Sequence, residues 1–248
     1  MGILSTLGRK AHTASLIATY YGPFRKGVGP YEMEFFDKPW FTAFGLGAVV
    51  DIGANTGQFA ALVTTLLPKA RVFSFEPIPE CHAALVSKMR DHSRFKSFNV
   101  GLGEEDGSLQ FQKNEFTASS SFLPLAKAHR DAFPFASKTQ SIDVQVRRLD
   151  SFENDLTIDG KLLVKIDTQG YELPVIKGGT HVLEKADMVI VEMSFDTLYQ
   201  GQALFGDIYK SLSDLRLRLS GIHGVTHDPV SGKCLQCDGI FLRDGTTP

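Results

Sequence analysis

Four acidic residues each follow a short apolar run, and they are the side chains best placed to do chemistry. They are Asp51, Glu76, Asp167 and Glu192. Short apolar runs bounded by turn signals are typical of buried strands. In open parallel α/β sheets, ligands bind beyond the carboxyl ends of the strands. We therefore expect these carboxylates to lie at the ligand edge of a sheet, where they would attract a cation or accept hydrogen bonds.

A glycine turn follows the first acid in the stretch VVDIGANTGQFA, which runs from Val49 to Ala60. A dinucleotide fingerprint needs a further glycine between Gly53 and Gly57, so that the backbone can approach a pyrophosphate. That glycine is missing. A Walker A loop needs Lys and Ser or Thr after its last glycine, whereas Gln58 follows Gly57. Neither phosphate-binding interpretation is supported by the residue types.

The charge of Asp51 indicates a different ligand. A carboxylate before the turn repels phosphate and attracts an amino group. Glu76 lies 19 residues after Gly57, an offset that suits a carboxylate accepting both hydroxyls of a ribose. A ribose with a cationic amino-acid tail and no phosphate describes S-adenosylmethionine. The predicted cofactor residues are Asp51, Gly53, Asn55, Gly57 and Glu76. The alternative is a plain strand–turn–helix unit whose glycine serves close packing.

Strand and helix patterns alternate from Ala48 onward. Apolar runs in AVVDIG, ARVFSFEP, FKSFNVGLG, KLLVKIDTQG and DMVIVEMS predict buried strands, and GSLQFQKNE predicts an alternating one. Helical spacing predicts helices in GQFAALVTTLLP, PECHAALVSKMR, ELPVIKGGTHVLEKA and FGDIYKSLSDLRLRL. The last stretch predicts two strands joined by the turn DPVSGK. These patterns indicate an α/β fold, a mostly parallel sheet covered by helices and edged by an antiparallel hairpin.

The composition of the chain limits the classes of protein to which it could belong. The chain has 248 residues, a formal net charge of -2 and three cysteines. There is no overall basic field for nucleic acid, no apolar run of the roughly 20 residues that span a bilayer, and no disulfide framework. We expect a cytoplasmic protein with a methyltransferase domain over residues 46–248. Residues 1–45 form a helical lead-in whose YEMEFFDKPWF stretch serves as core, as an interface or as a lid.

The sequence resembles the FkbM family of class I S-adenosylmethionine-dependent methyltransferases. The resemblance rests on VVDIGANTGQFA, VFSFEPIPE, FNVGLGEEDGSLQF, ASSSFL, VKIDTQGYELPVIKGG, VIVEMSF and CDGIFLR. It implies a Rossmann-like, seven-stranded, mostly parallel sheet and O-methylation of a sugar or polyketide hydroxyl. It also implies that the serine loop, with Ser120, lies near the cofactor, and we expect adenine against Val100, Gly101 and Leu102. Two positions depart from the family pattern: this chain has Gly101 where the family more often has Ala, and Gln169 where the family usually has Glu.

Several residues are candidates for taking a proton from the acceptor. Asp167 is the first candidate, as base or metal ligand, and its alternative role is to cap the next turn. Glu172 could take part in catalysis or could stabilise the dipole at the start of a helix, and the sequence favours neither role. Glu192 ends so apolar a run that we favour a site role. His223 and His227 are predicted to face the same side of a strand and to titrate near neutral pH, although ordinary surface roles are favoured.

Metal binding is a weaker hypothesis. Asp167, Glu192 and Asp238 together offer the oxygen ligands that Mg²⁺ prefers. The change from Glu to Gln169 removes one carboxylate from this neighbourhood. Zinc at Cys234 and Cys237 is disfavoured because no second ligand pair follows and a spacing of three in a strand separates the sulfurs.

The function predicted from the sequence is therefore methylation of a hydroxyl on a small or glycan-like acceptor. DNA and RNA base methylation is disfavoured because IDTQGYE, starting at Ile166, carries no Pro-Pro platform. The alternative from another class is a non-catalytic partner-binding protein that retains the fold. A nicotinamide-dependent enzyme is disfavoured by the missing glycine. Assembly as a homodimer is compatible with the sequence.

Overall fold

The computed structural model describes residues 2–132 and 138–246. Ten α-helices are formed in this part of the chain. They are α1 (Gly2–Thr19), α2 (Tyr21–Arg25), α3 (Pro30–Phe36), α4 (Pro39–Thr42), α5 (Gln58–Leu66), α6 (Pro79–Met89), α7 (Lys127–Ala132), α8 (Glu172–Gly178), α9 (Thr180–Leu183) and α10 (Phe205–Asp214). None of these described helices has both the length and the apolar composition needed to cross a membrane.

Ten strands form two sheets in the described residues. The strands are β1 (Leu46–Ile52), β2 (Arg71–Phe75), β3 (Phe95–Phe98), β4 (Gly101–Leu102), β5 (Gly107–Asn114), β6 (Thr139–Arg147), β7 (Lys161–Ile166), β8 (Met188–Ser194), β9 (Leu217–His227) and β10 (Cys234–Arg243). The large sheet has seven strands in the order β3-β2-β1-β7-β8-β10-β9. Strand β10 is antiparallel to both neighbours, while the other pairs are parallel. The predicted seven-stranded, Rossmann-like architecture is confirmed.

Helices cover both faces of the large sheet because its central strands are apolar on both sides. In β1, Ala48, Val50 and Ile52 belong to the core shared with α8 and α10. Val49, one residue out of phase, belongs to the opposite core with α5. This period-two division is what a strand buried on both faces requires.

The lead-in contributes to one of these cores. Met33 and Phe36 of α3, together with Phe41 of α4, are buried beside Leu62 of α5. Helix α1 contributes much less, because Leu16 is its one fully buried side chain among those described. The boundary at residue 45 stays a prediction, although α3 and α4 pack as part of the main body.

Three local predictions differ from the structure. The predicted helix over FGDIYKSLSDLRLRL ends at Asp214, because Arg216 adopts a left-handed φ of 60° and the Leu-Arg alternation starts β9 at Leu217. The predicted strand FKSFNVGLG is divided: β3 stays in the large sheet, whereas β4 joins the small one. Strand β6 was not predicted, and it organises the small sheet in the order β4-β6-β5.

The switch in strand order sets the position of the ligand crevice. Strand β1 is flanked by β2 on one side and by β7 on the other. The chain therefore leaves β1 toward one edge and later returns to pair with its opposite side. At such a point the loops after adjacent strands diverge and leave a crevice at the carboxyl ends. Asp51 lies in β1, and Asp167 immediately follows β7, so both acids are brought to this crevice.

Candidate active site

A cavity of about 250 Å³ occupies the crevice. It is lined by residues from the lead-in, the glycine turn, the loops after β2 and β7, the small sheet, the serine loop and β10. The lining residues that matter below are Glu32, Asp51, Gly53, Asn55, Glu76, Val100, Gly101, Phe111, Thr117, Ser120, Phe122, Lys165, Asp167, Gln169 and Asp238. Sequence-predicted residues from six segments thus meet in one place.

The glycine turn has the conformation that its sequence predicts. Gly53 and Gly57 have φ of 77° and 82°, in the left-handed region that favours glycine. A Cβ on Gly53 would also overlap the main-chain oxygen of Asp167. One on Gly57 would stand 2.6 Å from Leu85 Cδ1. The two glycines allow β1 to approach the loop after β7 and α5 to start against α6.

Asp51 has the site's most distinctive environment. Its side chain is fully buried, and Ser74 Oγ donates a hydrogen bond to Oδ2 at 3.3 Å. The other oxygen, Oδ1, has no hydrogen-bond partner among the described residues. Burial raises the pKa of Asp51 to about 6, against the opposing charge of Lys165. A buried carboxylate oxygen without a partner is costly, and a ligand amino group would supply the missing donor.

Glu76 lies at the end of β2 and orders the turn. Its Oε2 accepts a hydrogen bond from the main-chain N–H of Asn55 at 2.8 Å, and its Oε1 accepts one from Ile78 at 2.8 Å. Burial raises the pKa of Glu76 to about 7 although these bonds oppose the shift. A carboxylate has about four lone-pair sites, so acceptor capacity remains for a ribose.

An apolar wall completes the predicted cofactor half of the cavity. Val100 and Gly101 line it together with Phe111 and Phe122. A Cβ on Gly101 would stand 2.5 Å from Phe122 Cζ, so glycine at this position makes room for the aromatic ring. Ser120 also lines the cavity, but its Oγ accepts from the main-chain N–H of Asn114 and thereby shapes the loop.

A polar network surrounds Asp167 on the other side of β1. Lys165 Nζ donates to Asp167 Oδ2 at 3.0 Å, and Gln169 Nε2 donates to Oδ1 at 2.9 Å. Burial tends to raise the pKa of Asp167, but Lys165 and Gln169 outweigh it and hold the pKa below its ordinary value. Burial tends to lower the pKa of Lys165, but the negative charges of Asp167 and Asp51 outweigh burial and raise that pKa. Asp167 is therefore an ionised, oriented carboxylate.

Gln169 links this carboxylate to a second one. Its Nε2 also donates to Glu192 Oε2 at 3.0 Å, and Tyr199 donates its hydroxyl to Gln169 Oε1 at 2.8 Å. Gln236 Nε2 donates to the other oxygen of Glu192 at 2.6 Å. Burial first, and then the charge of Asp167, raises the pKa of Glu192. Glutamine, unlike the family's usual glutamate, can donate to both acids.

Three predicted catalytic residues do not line the cavity: Glu172, Glu192 and His223. Glu172 Oε1 accepts from the main-chain N–H groups of Thr168 and Gly170 at 2.9 and 3.0 Å, which holds the loop after β7. His223 stacks on Phe35 of α3, with ring centroids 3.8 Å apart.

The prediction that His223 and His227 face the same side of a strand is wrong. Register shifts between β9 and β10 interrupt the alternation of side chains. His223 is half-buried, whereas His227 is exposed at the hairpin end. The two imidazoles therefore do not form one catalytic face.

The magnesium hypothesis does not fit the donor set. Lys165 Nζ already neutralises Asp167, and its charge also acts on Asp238. Both oxygens of Glu192 accept from glutamine amides. In the described part of the chain, no three His, Cys, Asp or Glu side chains are arranged to hold a metal ion. Magnesium binding is thus not supported.

Comparison with known proteins agrees with the site. The methyltransferase FkbM domain model matches residues 51–219, which is more than half of the chain. The chain belongs to the FkbM methyltransferase family. It is thus an S-adenosylmethionine-dependent methyltransferase by family, and Asp51, Glu76 and the glycine turn fit that cofactor.

Two named relatives of this FkbM methyltransferase are each less than 30% identical to it. The 2-O-methyltransferase NoeI of Sinorhizobium fredii is 29% identical over 186 residues, covering 73% of this chain and 76% of that protein. The hexuronic acid methyltransferase AglP of Haloferax volcanii is 28% identical over 144 residues, covering 58% of this chain and 54% of its own.

A solved structure supports the fold. A methyltransferase FkbM from Methylobacillus flagellatus has a TM-score of 0.50 and 18% identity, covering 78% of this chain and 43% of that one. The chain therefore spans less than half the length of that protein.

Sequence reasoning missed several lining residues of this FkbM methyltransferase. Lys165 stands in the apolar run KLLVKI, and a lysine in a buried strand is a signal that it has a charged partner. Glu32 lies in the lead-in, where no local sequence feature indicates that it lines the cavity. Phe111 and Phe122 read as ordinary strand and loop residues. Their roles depend on the small sheet, which the sequence did not predict.

Proposed function

We propose that this FkbM-family protein transfers a methyl group from S-adenosylmethionine to a hydroxyl oxygen of a sugar, glycan or polyketide-like acceptor. The observation that carries the proposal is the partnerless, buried Oδ1 of Asp51 beside a glycine turn, with Glu76 at the end of the next strand. The names of the relatives, a 2-O-methyltransferase and a hexuronic acid methyltransferase, support a sugar-like acceptor.

The cofactor-binding roles follow from position and charge. Asp51 Oδ1 accepts a hydrogen bond from the cofactor's ammonium group. Glu76 accepts from the ribose hydroxyls while it orders the turn through Asn55. Val100, Gly101 and Phe122 form an apolar slot for adenine, and Ser120 and Thr117 close its rim. Gly53 keeps the backbone close to the ligand, whereas Gly57 does not line the cavity and instead lets α5 start against α6.

Asp167 is the proposed proton acceptor. When bound, S-adenosylmethionine supplies a methyl group that its sulfonium already activates, so alignment of the acceptor contributes most of the acceleration. Asp167 accepts a hydrogen bond from the acceptor hydroxyl and orients its oxygen. As the bond between the acceptor oxygen and the methyl carbon forms, the bond from that carbon to sulfur would break, with S-adenosylhomocysteine as the leaving group, and Asp167 would take the proton from the hydroxyl, which becomes strongly acidic in this step. A carboxylate of low pKa suffices for this step, because the proton leaves a positively charged oxygen.

The remaining predicted residues act as positioning residues. Gln169 and Lys165 hold the two oxygens of Asp167. Glu192 holds Gln169, and Glu172 holds the loop in which Gln169 lies. Metal ligation by Asp167, Glu192 and Asp238 is not part of the proposal.

Binding of S-adenosylhomocysteine tests the proposed function directly. Isothermal titration should show one site per chain in the wild type. Asp51→Asn should weaken binding at least about tenfold, since a hydrogen bond to a charged group contributes about 1.5–3 kcal/mol. Asp91→Asn, at an exposed position, is the matched control and should bind normally. Absence of binding to the wild type would refute the proposal.

A further inference from the structure

The charge of the cavity is strongly one-sided. Among its described lining residues, five side chains are acidic and one, Lys165, is basic. The acids are Glu32, Asp51, Glu76, Asp167 and Asp238. The proposed cofactor roles use Asp51 and Glu76. Three carboxylates and one ammonium group then remain for the acceptor, so this half of the cavity has an excess of negative charge.

Sheet order separates the two halves. Glu76 follows β2, on one side of β1, whereas Lys165 is in β7 on the other side. Asp238 is in β10, two strands beyond β7, and pairs with His223 of β9 in the antiparallel ladder. The cofactor's ribose and adenine are proposed on the Glu76 side. The half of the cavity toward Lys165 and Asp238 is left for the acceptor.

Helix α3 brings Glu32 to this second half. Phe36 of α3 is buried in the core beside Phe59 of α5, with ring centroids 5.9 Å apart, and Phe35 stacks on His223. These aromatic contacts fix the helix against α5 and β9. Glu32, one turn earlier, is held near the main chain of Gly29 and lines the cavity.

The acids act on one another through space. Burial raises the pKa of Asp238 to about 7, and the charges of Asp167 and Glu32 add to the effect. Burial likewise raises the pKa of Glu32, while Lys165 opposes the shift. A further negative charge here would be repelled, whereas hydroxyl or ammonium donors would be attracted.

We propose that Glu32 and Asp238 select the acceptor: they accept hydrogen bonds from hydroxyl or ammonium groups that flank the methylated hydroxyl, and they exclude acceptors with a carboxylate at that place. The acceptor class is therefore an uncharged or amino-substituted polyol. This inference rests on the proposed function. Glu32 lies in the lead-in, outside residues 51–219, which match the family model, so its share of the selectivity belongs to a flanking segment of this chain.

Three matched glycosides test the selectivity: a methyl glucoside, its 2-amino-2-deoxy analogue and the methyl glucuronide. Formation of S-adenosylhomocysteine is measured for each with the wild-type chain of 248 residues at saturating cofactor. We expect kcat/KM for the glucoside or the amino glycoside to exceed that for the glucuronide at least about tenfold, a ratio equivalent to about 1.4 kcal/mol. The neutral and amino arms distinguish the two kinds of donor. A glucuronide that reacts equally well overturns the proposal.

Charge-removing variants assign the selectivity to residues. Glu32→Gln and Asp238→Asn should each reduce the ratio at least about threefold. Glu34→Gln is the matched control, because Glu34 is on the same helix but pairs with His12 outside the cavity, and it should leave the ratio unchanged. An unchanged ratio in both Glu32→Gln and Asp238→Asn overturns the proposal. Titration of the wild type with S-adenosylhomocysteine distinguishes the two kinds of failure. If the proposed function is wrong, the wild type does not bind S-adenosylhomocysteine. If only the selectivity proposal is wrong, binding is normal.

Discussion

Asp167 is the residue whose surroundings most constrain the chemistry. Lys165 Nζ and Gln169 Nε2 each donate to one of its oxygens, so the carboxylate is fixed in orientation and stays ionised at neutral pH. These contacts lower its basicity but define where an acceptor hydroxyl must lie. For transfer of an activated methyl group, orientation matters more than a strong base.

Asp167→Asn should lower kcat at least about 100-fold, because the amide can hold the hydroxyl but cannot receive its proton. Affinity for S-adenosylhomocysteine should change less than about threefold, since Asp51 and Glu76 are the side chains proposed to hold the cofactor. Steady-state kinetics and titration calorimetry measure the two quantities. Asp159→Asn, at an exposed residue paired with Arg71, should retain full activity. A normal kcat in Asp167→Asn would remove Asp167 from the reaction.

At the scale of elements, the site depends on how closely the turn after β1 approaches the loop after β7. Gly53 makes that approach possible, and Asp167 N donates to Ile52 O at 3.1 Å across the same gap. Glu172 then holds the loop from the start of α8. The backbone geometry, more than any one side chain, places Asp51 and Asp167 in the same cavity.

Gly53→Ala should destabilise the fold by roughly 2 kcal/mol or more, because its φ is strained for alanine and its Cβ would overlap Asp167 O. Gly206→Ala is the control: Gly206 lies in the first turn of α10 with nothing within 4 Å of an added Cβ. It should be neutral or stabilising by up to about 1 kcal/mol. Urea unfolding compares the two, and equal midpoints would show that the turn can relax.

At the scale of the whole molecule, burial of acids makes folding depend on pH. The pKa of Glu76 rises from 4.5 to about 7 on folding, and those of Asp238 and Glu172 also rise to about 7. Between pH 4.5 and 7 the folded chain therefore binds more protons than the unfolded chain. The stabilisation from these groups is complete below their unfolded pKa and is lost as the pH rises through about 7.

Glu76→Gln should remove the share of this dependence that Glu76 contributes. In urea unfolding of the ligand-free protein, the change in unfolding free energy between pH 5.5 and 8 should differ between the wild type and Glu76→Gln by about 1–3 kcal/mol. The wild type loses more stability as pH rises. Comparing the two proteins cancels the titration of their shared groups. Glu80→Gln, at a surface residue with a lowered pKa, should behave like the wild type. Parallel pH profiles of wild type and Glu76→Gln would contradict the assignment.

The local features of this protein follow from the order of residues along the chain. Apolar runs, glycine spacing and the acids at strand ends depend on neighbours in the chain, and they predicted the α/β fold, the glycine turn and the cofactor residues. The alternation of Leu217 and Leu219 was local too, but its period of two was overlooked within a helix-like stretch.

The tertiary structure alone decided which distant residues meet. Glu32 and Asp238 are more than 200 residues apart in the chain, and they share a cavity only because α3 packs on α5 and β10 inserts beside β8. Nothing near either residue encodes that contact. The same packing stacks His223 on Phe35 of α3 and leaves it out of the cavity lining. The residues proposed to bind the methyl donor follow from local sequence, whereas those proposed to bind the acceptor meet only through long-range packing.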